Sequence, residues 1–296
     1  EELPVWDGVD RLAALARRVS RDQLWVKEFH IWMRGMTAQW RGVTGSHANS
    51  VAPLLISTEQ GYLKSTFCKS LLPPALQRYY MDKVDLTSQG HIERRLAEMG
   101  LLNLDEFDTL SPARMQELKM PLLKNLMQMA SLSLCKAYQK NYRSLPRIAS
   151  FIGTSNRKDL LTDPTGSRRF ICVLVEYPID CEGIEYAQLY AQLKAEILTG
   201  EHYWFTKEEE TELQQSNMTF YRQGPVEDVL RSCYRAAEKG EGCELLSSAD
   251  IFQRLKKINP AAMRGANPAS LAQILIAVGI ERKHTKFGNV YRVVSV

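Results

Sequence analysis

The sequence lacks the features that mark disulfide-bonded and zinc-binding proteins. Its six cysteines are scattered over 296 residues without a C-x-x-C pair, which excludes a dense disulfide framework and a zinc ribbon. Its five histidines form no H-E-x-x-H motif, so a metal cluster of His and Cys is not expected. Isolated thiols are typical of a reducing compartment, and we therefore expect a cytoplasmic protein.

Membrane and secretion features are also missing. No apolar run reaches the ~18 residues that a membrane span requires, and residues 1–6 do not have the basic-then-apolar pattern of a signal peptide. The chain begins without Met, which predicts a processed chain or a piece of a longer polypeptide. The apolar content of 45% and the charged content of 24% are those of a folded globular chain. Its length is sufficient for more than one domain.

The charge is small in total but uneven along the chain. The net charge is +4, yet residues 135–169 and residues 247–296 each carry eight Lys or Arg against two Asp or Glu. Two basic segments on a nearly neutral chain favour a path for nucleic acid. The alternative is that both segments are ordinary solvated faces.

The most informative segment is residues 54–67, LLISTEQGYLKSTF. A short apolar run predicts a buried strand, which is followed by a tight loop, Lys-Ser, and a helical apolar period. This is the layout of a P-loop, in which backbone amides and a Lys hold phosphates and a hydroxyl ligates Mg²⁺. The predicted nucleotide-binding residues are Gln60, Gly61, Tyr62, Leu63, Lys64, Ser65 and Thr66.

The loop departs from the usual G-x-x-x-x-G-K-[ST] pattern. Thr58 and Leu63 occupy the two glycine positions, and only Gly61 within the loop takes a positive φ without steric strain. A Cβ at position 63 would crowd the phosphate or strain the loop. The alternative interpretation is a plain strand–turn–helix in which Lys64 is a solvated surface residue.

Strands alternating with helices along the chain predict an α/β fold with a three-layer, AAA+-like P-loop core around a parallel sheet. Residues 112–134 are predicted to be helical. We divide the chain into a helical N-terminal segment at 1–48, the core at 49–200, a helical connector at 201–240 and a basic domain at 241–296. In the connector, Thr206 and Glu209 form a predicted capping box.

Polar residues follow three predicted strands of the core. Lys64, the pair Asp105-Glu106 and Asn156 each come just after a strand, and ligands of parallel sheets sit at the carboxyl ends of the strands. We expect Ser65 and Asp105 to hold Mg²⁺. Glu106 is then expected to polarise the attacking water, and Asn156 to position that water or sense the terminal phosphate.

The last segment has the element order of a winged helix. Helices are predicted from a cap at residues 247–250 and from residues 267–268, and two strands follow them. The basic residues predicted to contact DNA here are Arg264, Arg282, Lys283 and Lys286. The alternative is a small packing module that is basic for other reasons.

The most distinctive motif is G-T-S-N-R at 153–157 followed by D-P-T-G-S-R-R-F at 163–170. Here the chain resembles the virulence-associated E family of P-loop ATPases, which are AAA+-like superfamily 3 helicases of phages, plasmids and mobile elements. The resemblance extends from W-D-G at 6–8 to the last segment, which is similar to a domain appended in Bacteroidetes-type members.

The resemblance implies further roles. Arg168 or Arg169 would be an arginine finger that reaches a neighbouring subunit's nucleotide. Residues 131–147 would form a loop or hairpin that faces DNA in a central channel. Its implied contacts are Lys136, Tyr138, Lys140, Arg143 and Arg147. The family also implies ATP and Mg²⁺ as cofactors, a homo-oligomeric hexameric ring, single-stranded DNA as partner, and a primase domain in the same or a partner chain.

The function expected from these observations is an ATP-dependent DNA helicase or translocase, the motor part of a primase–helicase of a mobile element. The alternative is a catalytically degenerate nucleotide- or DNA-binding regulator that uses its winged-helix domain. An intact Glu106 favours the enzyme, whereas Leu63 favours the degenerate binder.

Overall fold

The chain divides into two units, Glu1–Tyr221, which contains two hydrophobic cores, and Arg222–Val296, which contains a third. Among the described residues, no helix is both long and apolar enough to cross a bilayer. The computed structural model describes residues 3–45, 47–84, 89–105, 107, 120–135, 142–161, 167–221, 224–238, 240–286 and 288–296.

The first unit is built around a five-stranded parallel sheet. In chain order, the strands of this unit are β1 (Ala52–Ile56), β2 (Tyr80–Met81), β3 (Leu101–Leu104), β4 (Ser131–Cys135), β5 (Tyr142–Pro146), β6 (Ser150–Ser155) and β7 (Phe170–Leu174). The sheet order is β2–β3–β6–β1–β7, and every neighbouring pair is parallel. The five strands of this sheet therefore end at one edge, the carboxyl edge, and begin at the other, the amino edge. The predicted α/β fold with a central parallel sheet is confirmed.

Seven described helices belong to the first unit. They are α1 (Arg11–Arg17), α2 (Gln23–Trp40), α3 (Lys64–Ser70), α4 (Gln89–Glu98), α5 (Met120–Gln128), α6 (Tyr186–Leu198) and α7 (Lys207–Ser216). Asp10 and Asp22 cap α1 and α2 by accepting from the amides of Ala13 and Leu24, which satisfies donors that a helix start leaves unpaired. The predicted capping box at the start of α7 is present.

The sheet is covered on both faces because successive side chains of a strand point to opposite sides. Along β1, Leu55 lies in one core with the aromatic residues of α2, and Leu54 lies in a second core with the apolar side chains of α4 and α5. Both leucines are fully buried. The near-continuous apolar run of β1 is what a strand buried on two faces requires.

The helix predicted over residues 112–134 is wrong in its last part. Helix α5 ends at Gln128, and β4 begins at Ser131 and pairs antiparallel with β5. The sequence of β4 is S-L-S-L-C, an alternation of period two that favours a strand over a helix. Residues 112–119 lie outside the described residues.

The described part of the second unit contains three helices and a small antiparallel sheet. Its elements are α8 (Pro225–Cys233), β8 (Tyr234–Ala236), β9 (Glu244–Ser247), α9 (Ser248–Ile258), α10 (Pro268–Ala277), β10 (Arg282–Thr285) and β11 (Gly288–Ser295). Strand β11 pairs with β10, β9 and β8. Capping boxes at Ser247 and Asn267 start α9 and α10 where the sequence predicts these helices. The fourfold division of the chain made from the sequence stays a prediction.

Candidate functional site

The residues predicted to hold the phosphates and Mg²⁺ converge at the carboxyl edge of the sheet. Strand β1 ends beside β6, with Ile56 opposite Ser155, and β3 ends beside β6, with Leu104 opposite Gly153. The residues that follow these strands therefore meet in one place. They are Ser57 after β1, Asp105 after β3 and Asn156 after β6.

Lys64, the first residue of α3, points back toward the strand ends. Its Nζ donates to the carbonyl of Ser57 at 3.1 Å, to Asn156 Oδ1 at 3.1 Å and, at 3.4 Å, to the carbonyl of Glu59. Lys64 is only 9% exposed. The alternative interpretation of Lys64 as a solvated surface residue is therefore wrong.

The loop between β1 and α3 bends through two residues with positive φ. Gly61 has φ +80°, and Leu63, directly before Lys64, has φ +59° in the left-handed region. Leu63 thus adopts the backbone conformation that a glycine would take there, at a strain of about 1–2 kcal/mol. Its side chain is 46% exposed, so it does not fill the interior of the loop.

One carboxylate oxygen of Asp105 accepts hydrogen bonds from two hydroxyl groups. Ser65 Oγ donates to Asp105 Oδ1 at 3.0 Å, and Thr154 Oγ1 donates to the same atom at 2.7 Å. The first contact joins the start of α3 to the end of β3. The second contact fixes the carboxylate against β6. Sequence reasoning missed this role of Thr154, although its position beside the predicted end of a neighbouring strand could have indicated it.

The motif at 153–157 is explained by close packing and a tight turn. A Cβ on Gly153 would lie 2.6 Å from Leu54 Cδ2 and 3.1 Å from the carbonyl oxygen of Leu104, so a larger residue here would force the buried side chain of Leu54 to move. After β6, Ser155 Oγ accepts from the amide of Arg157 and donates to its carbonyl. This turn presents Asn156 toward Lys64.

The remaining predicted nucleotide-binding residues line the same loop and helix start. Gln60 and Thr66 are exposed, and Tyr62 is half-buried against the core on the α2 face. The chain that follows β7 borders this loop, since the amide of Ile179 donates to the carbonyl of Tyr62 at 3.2 Å. Glu106 lies outside the described residues.

The donor set at this edge suits a magnesium–phosphate ligand. Mg²⁺ is usually bound by one or two carboxylates, water and substrate phosphate oxygens, and Ser65 with Asp105 supplies a hydroxyl and a carboxylate. Within the described residues, no group of three His, Cys, Asp or Glu side chains could hold a metal by itself. The buried ammonium of Lys64 supplies the complementary positive charge. ATP with Mg²⁺ therefore fits the residues present.

Arg168 and Arg169 lie away from this edge. They directly precede β7, whose Phe170 pairs with Ala52 at the start of β1, so both belong to the amino edge. Arg168 is paired with Glu210 at 3.1 Å. Burial lowers the pKa of the half-buried Arg169. Neither arginine is near Lys64 of its own chain.

The predicted DNA contacts of residues 131–147 have different outcomes. Strands β4 and β5 form the expected hairpin, and Arg143 on β5 is exposed. The prediction that Arg147 contacts DNA is wrong. Its side chain is only 2% exposed and donates to four backbone carbonyls, those of Asn49, Met127, Met129 and Ala149. A guanidinium saturated in this way is unavailable to a DNA backbone. Lys136, Tyr138 and Lys140 lie outside the described residues.

In the second unit, Arg264, Arg282, Lys283 and Lys286 are all exposed. Arg282 and Lys283 lie on β10, which pairs through the β10–β11 hairpin with β11. Helix α10, by contrast, has the sequence PASLAQILIA and carries no charged residue. The positive charge of this unit therefore lies outside α10.

Comparison with known proteins identifies the family. Residues 1–222 match the virulence-associated protein E-like domain, and residues 223–293 match a domain of unknown function from B. theta, DUF3874. Because the first match covers most of the chain, the chain belongs to the virulence-associated protein E-like family. The resemblance stated from the motif at 153–170 is thus confirmed.

Curated proteins and solved structures provide two further comparisons. No curated protein matches the sequence. The chain is similar to an apo structure of the NrS-1 C-terminal region, with 13% identity and a TM-score of 0.48 over 100% of this chain and 77% of that one. An A-form apo structure of the same region gives 13% identity and a TM-score of 0.43 over 100% and 78%. These values are too low for the likeness to imply a shared activity.

Proposed function

We propose that the first unit is a Mg²⁺-dependent P-loop ATPase that serves as the motor of a DNA helicase or translocase of a mobile element. The observation that carries the proposal is the meeting of Lys64, Ser65 and Asp105 at the ends of β1 and β3. Membership of the virulence-associated protein E-like family supports it. The chain would be one part of a primase–helicase, with the primase domain in the same or a partner chain.

Each residue of the site has a proposed task. Lys64 exchanges its carbonyl acceptors for the β- and γ-phosphate oxygens, and the amides around Gly61 and Leu63 hold the phosphates. Ser65 and Asp105 hold Mg²⁺, which when bound neutralises charge on the phosphates. Asn156 orients the attacking water or senses the terminal phosphate, and Glu106 is proposed to polarise that water.

The arginines at the amino edge support action in a ring. Strand β7 is five residues long, so Arg168 and Arg169 lie about 16 Å along the sheet from the carboxyl edge. At that distance they do not reach a nucleotide bound at Lys64 of their own subunit, which supports a role toward the nucleotide of a neighbouring subunit. We therefore propose a homo-oligomeric ring, a hexamer, in which one of these arginines completes the partner's site.

Two basic regions are proposed to bind single-stranded DNA. One is the β4–β5 hairpin with Arg143, together with Lys136 and Lys140. The other is the second unit, for which we propose a winged-helix-like role. There the contacts are made by Arg264 and by the basic residues in and beside the β10–β11 hairpin, since α10 carries no Lys or Arg to contact phosphates.

One observation favours a second candidate function, that of a nucleotide- or DNA-binding regulator that does not hydrolyse ATP. The strained Leu63 and the Thr58 substitution alter the loop where phosphates would lie, so binding could survive while hydrolysis is lost. The two candidates differ in one readout, which is the release of inorganic phosphate by a chain that binds Mg²⁺–ATP.

The proposal is tested by replacing Lys64. We expect Lys64→Ala to weaken Mg²⁺–ATP binding by about 10- to 100-fold in calorimetry, because a charge-assisted contact contributes about 1.5–3 kcal/mol. Lys69→Ala is the matched control, since Lys69 is an exposed lysine later on the same helix. Equal affinities for the Lys64→Ala variant and the wild type would remove the loop from the nucleotide site.

A further inference from the structure

The geometry of the phosphate site gives a direction to the whole nucleotide. Lys64 contacts Asn156, which follows β6, and Ser65 contacts Asp105, which follows β3. The terminal phosphate and its metal would therefore face the β6–β3 side of β1. The other neighbour of β1 is β7. A nucleotide held in this orientation extends its sugar and base toward the β7 flank.

The chain that leaves β7 connects the phosphate loop to helix α1. Its Ile179 amide is bonded to Tyr62 of the loop. Next along the chain, the carbonyls of Asp180 and Glu182 accept from Nη1 of Arg18, which directly follows α1. The loop, this segment and α1 are thus tied together by hydrogen bonds within the first unit.

A cleft lies where this segment meets α1. It has a volume of ≈240 Å³, and its walls are mostly aliphatic. The apolar side chains that line it are Val9, Ala14, Leu15, Ile184 and Leu189. The volume is below the roughly 300 Å³ at which pockets for drug-sized ligands begin, so the cleft suits one planar heterocycle rather than a whole nucleotide.

The cleft also has a fixed cationic side chain. Arg11 makes two parallel bonds to Asp7, at 2.7 and 2.8 Å, and its Nε donates to Glu185 at 2.7 Å. These partners neutralise the guanidinium and hold its plane in place. A guanidinium plane fixed beside aliphatic walls is a stacking surface for a nucleobase. Asp7 belongs to the W-D-G motif at 6–8, so one role of this motif is to hold the Arg11 guanidinium in place.

We propose that this cleft receives the nucleobase of the nucleoside triphosphate whose phosphates lie at Lys64. The inference rests on the proposed function, and it adds the base-binding part of the site. From Ile179, at the phosphate loop, to Gly183, at the cleft, the chain advances four residues and therefore at most about 14 Å. A ribose with an extended triphosphate bridges a gap of this size.

The test separates the base from the phosphates. Ala14 is exposed on α1 and lines the cleft, so Ala14→Phe fills the cleft without entering the core. Calorimetry on the full chain compares Mg²⁺–ATP with Mg²⁺–tripolyphosphate. We expect the wild type to bind ATP at least about tenfold more tightly than tripolyphosphate, since stacking of one base contributes about 1–3 kcal/mol. Ala14→Phe should abolish this preference and leave tripolyphosphate binding within about twofold.

Two controls and three outcomes complete the design. Arg17→Phe, on the same helix but outside the cleft, should keep the preference, and Ala14→Leu should lose part of it. A wild type that binds tripolyphosphate and ATP equally overturns the base cleft and leaves the phosphate site intact. An undiminished preference in Ala14→Phe also overturns it. A wild type that binds neither ligand overturns the proposed function itself.

Discussion

The two edges of the parallel sheet use buried cations in opposite ways. At the carboxyl edge, the contacts of Lys64 include the carbonyl of Ser57 and Asn156 Oδ1, beside an exposed loop. At the amino edge, Arg147 is enclosed by four backbone carbonyls at 2.6 to 3.1 Å. Burial of a cationic side chain therefore does not by itself indicate a ligand-binding site. A cation whose partners a phosphate can replace is available for binding, whereas a cation that completes the backbone hydrogen bonding is structural.

The largest expected loss of stability comes from replacing Arg147. We expect Arg147→Met to lower the free energy of unfolding by about 3–5 kcal/mol, because four buried carbonyls lose their donor. Burial lowers the pKa of Arg147 to about 9, so its charge is present at neutral pH. Urea denaturation measures the change.

Arg143→Met is the matched control for Arg147, since Arg143 is exposed on the adjacent strand β5. Its effect on stability should stay within about 0.5 kcal/mol. Similar losses for the two variants would contradict the structural role assigned to Arg147.

Glu28 on α2 differs from both cations, because it is a buried ionisable group with an unpaired oxygen atom. It is 4% exposed, and its Oε1 has no hydrogen-bond partner among the described residues. Burial raises the pKa of Glu28 from 4.5 to about 8. The folded chain therefore keeps a proton that the unfolded chain releases, so stability falls as pH rises between these values and levels off above them.

Replacing Glu28 should remove this pH dependence. Relative to the wild type, Glu28→Gln should gain about 2–4 kcal/mol of unfolding free energy between pH near 5 and pH near 8. Denaturation curves at the two pH values give the difference directly. Glu176→Gln, which removes an exposed carboxylate between β7 and α6, should show no such gain. A Glu28→Gln advantage that is the same at both pH values would refute the buried-carboxyl explanation.

The smallest expected effect concerns the loop itself. Leu63→Gly should raise the unfolding free energy by about 0.5–1 kcal/mol, because relief of left-handed strain exceeds the added entropy of the unfolded chain. Leu63→Val should lower it, since a β-branched residue fits this conformation poorly. Thermal denaturation of the three chains provides the ranking. A less stable Leu63→Gly chain would show that the leucine side chain supports the loop.

Much of the fold was predictable because its local patterns agree with the final structure. The apolar run before the loop, the amphipathic period of α2 and the caps of α9 and α10 each specify an element on their own. Parallel strands bring their ends to one edge, so the approach of Lys64, Asp105 and Asn156 also followed from the order of elements.

What the sequence could not supply depends on contacts between distant segments. Arg147 carries the same charge as Arg143, and only the positions of the carbonyls around it show that it is structural. The role of Thr154 depends on the register between β3 and β6. The left-handed conformation of Leu63 is invisible in a pattern that asks for glycine there. The cleft beside α1 is formed by segments more than 160 residues apart.

The central claim is that phosphates bind at the carboxyl edge and not at the amino edge. Amide hydrogen exchange of the full chain with and without Mg²⁺–ATP tests it most directly. We predict slower exchange in peptides that cover residues 57–66, 104–105 and 154–157, with residues 147–150 unchanged. Protection confined to the amino edge, or no protection at the loop under saturating nucleotide, would contradict the account.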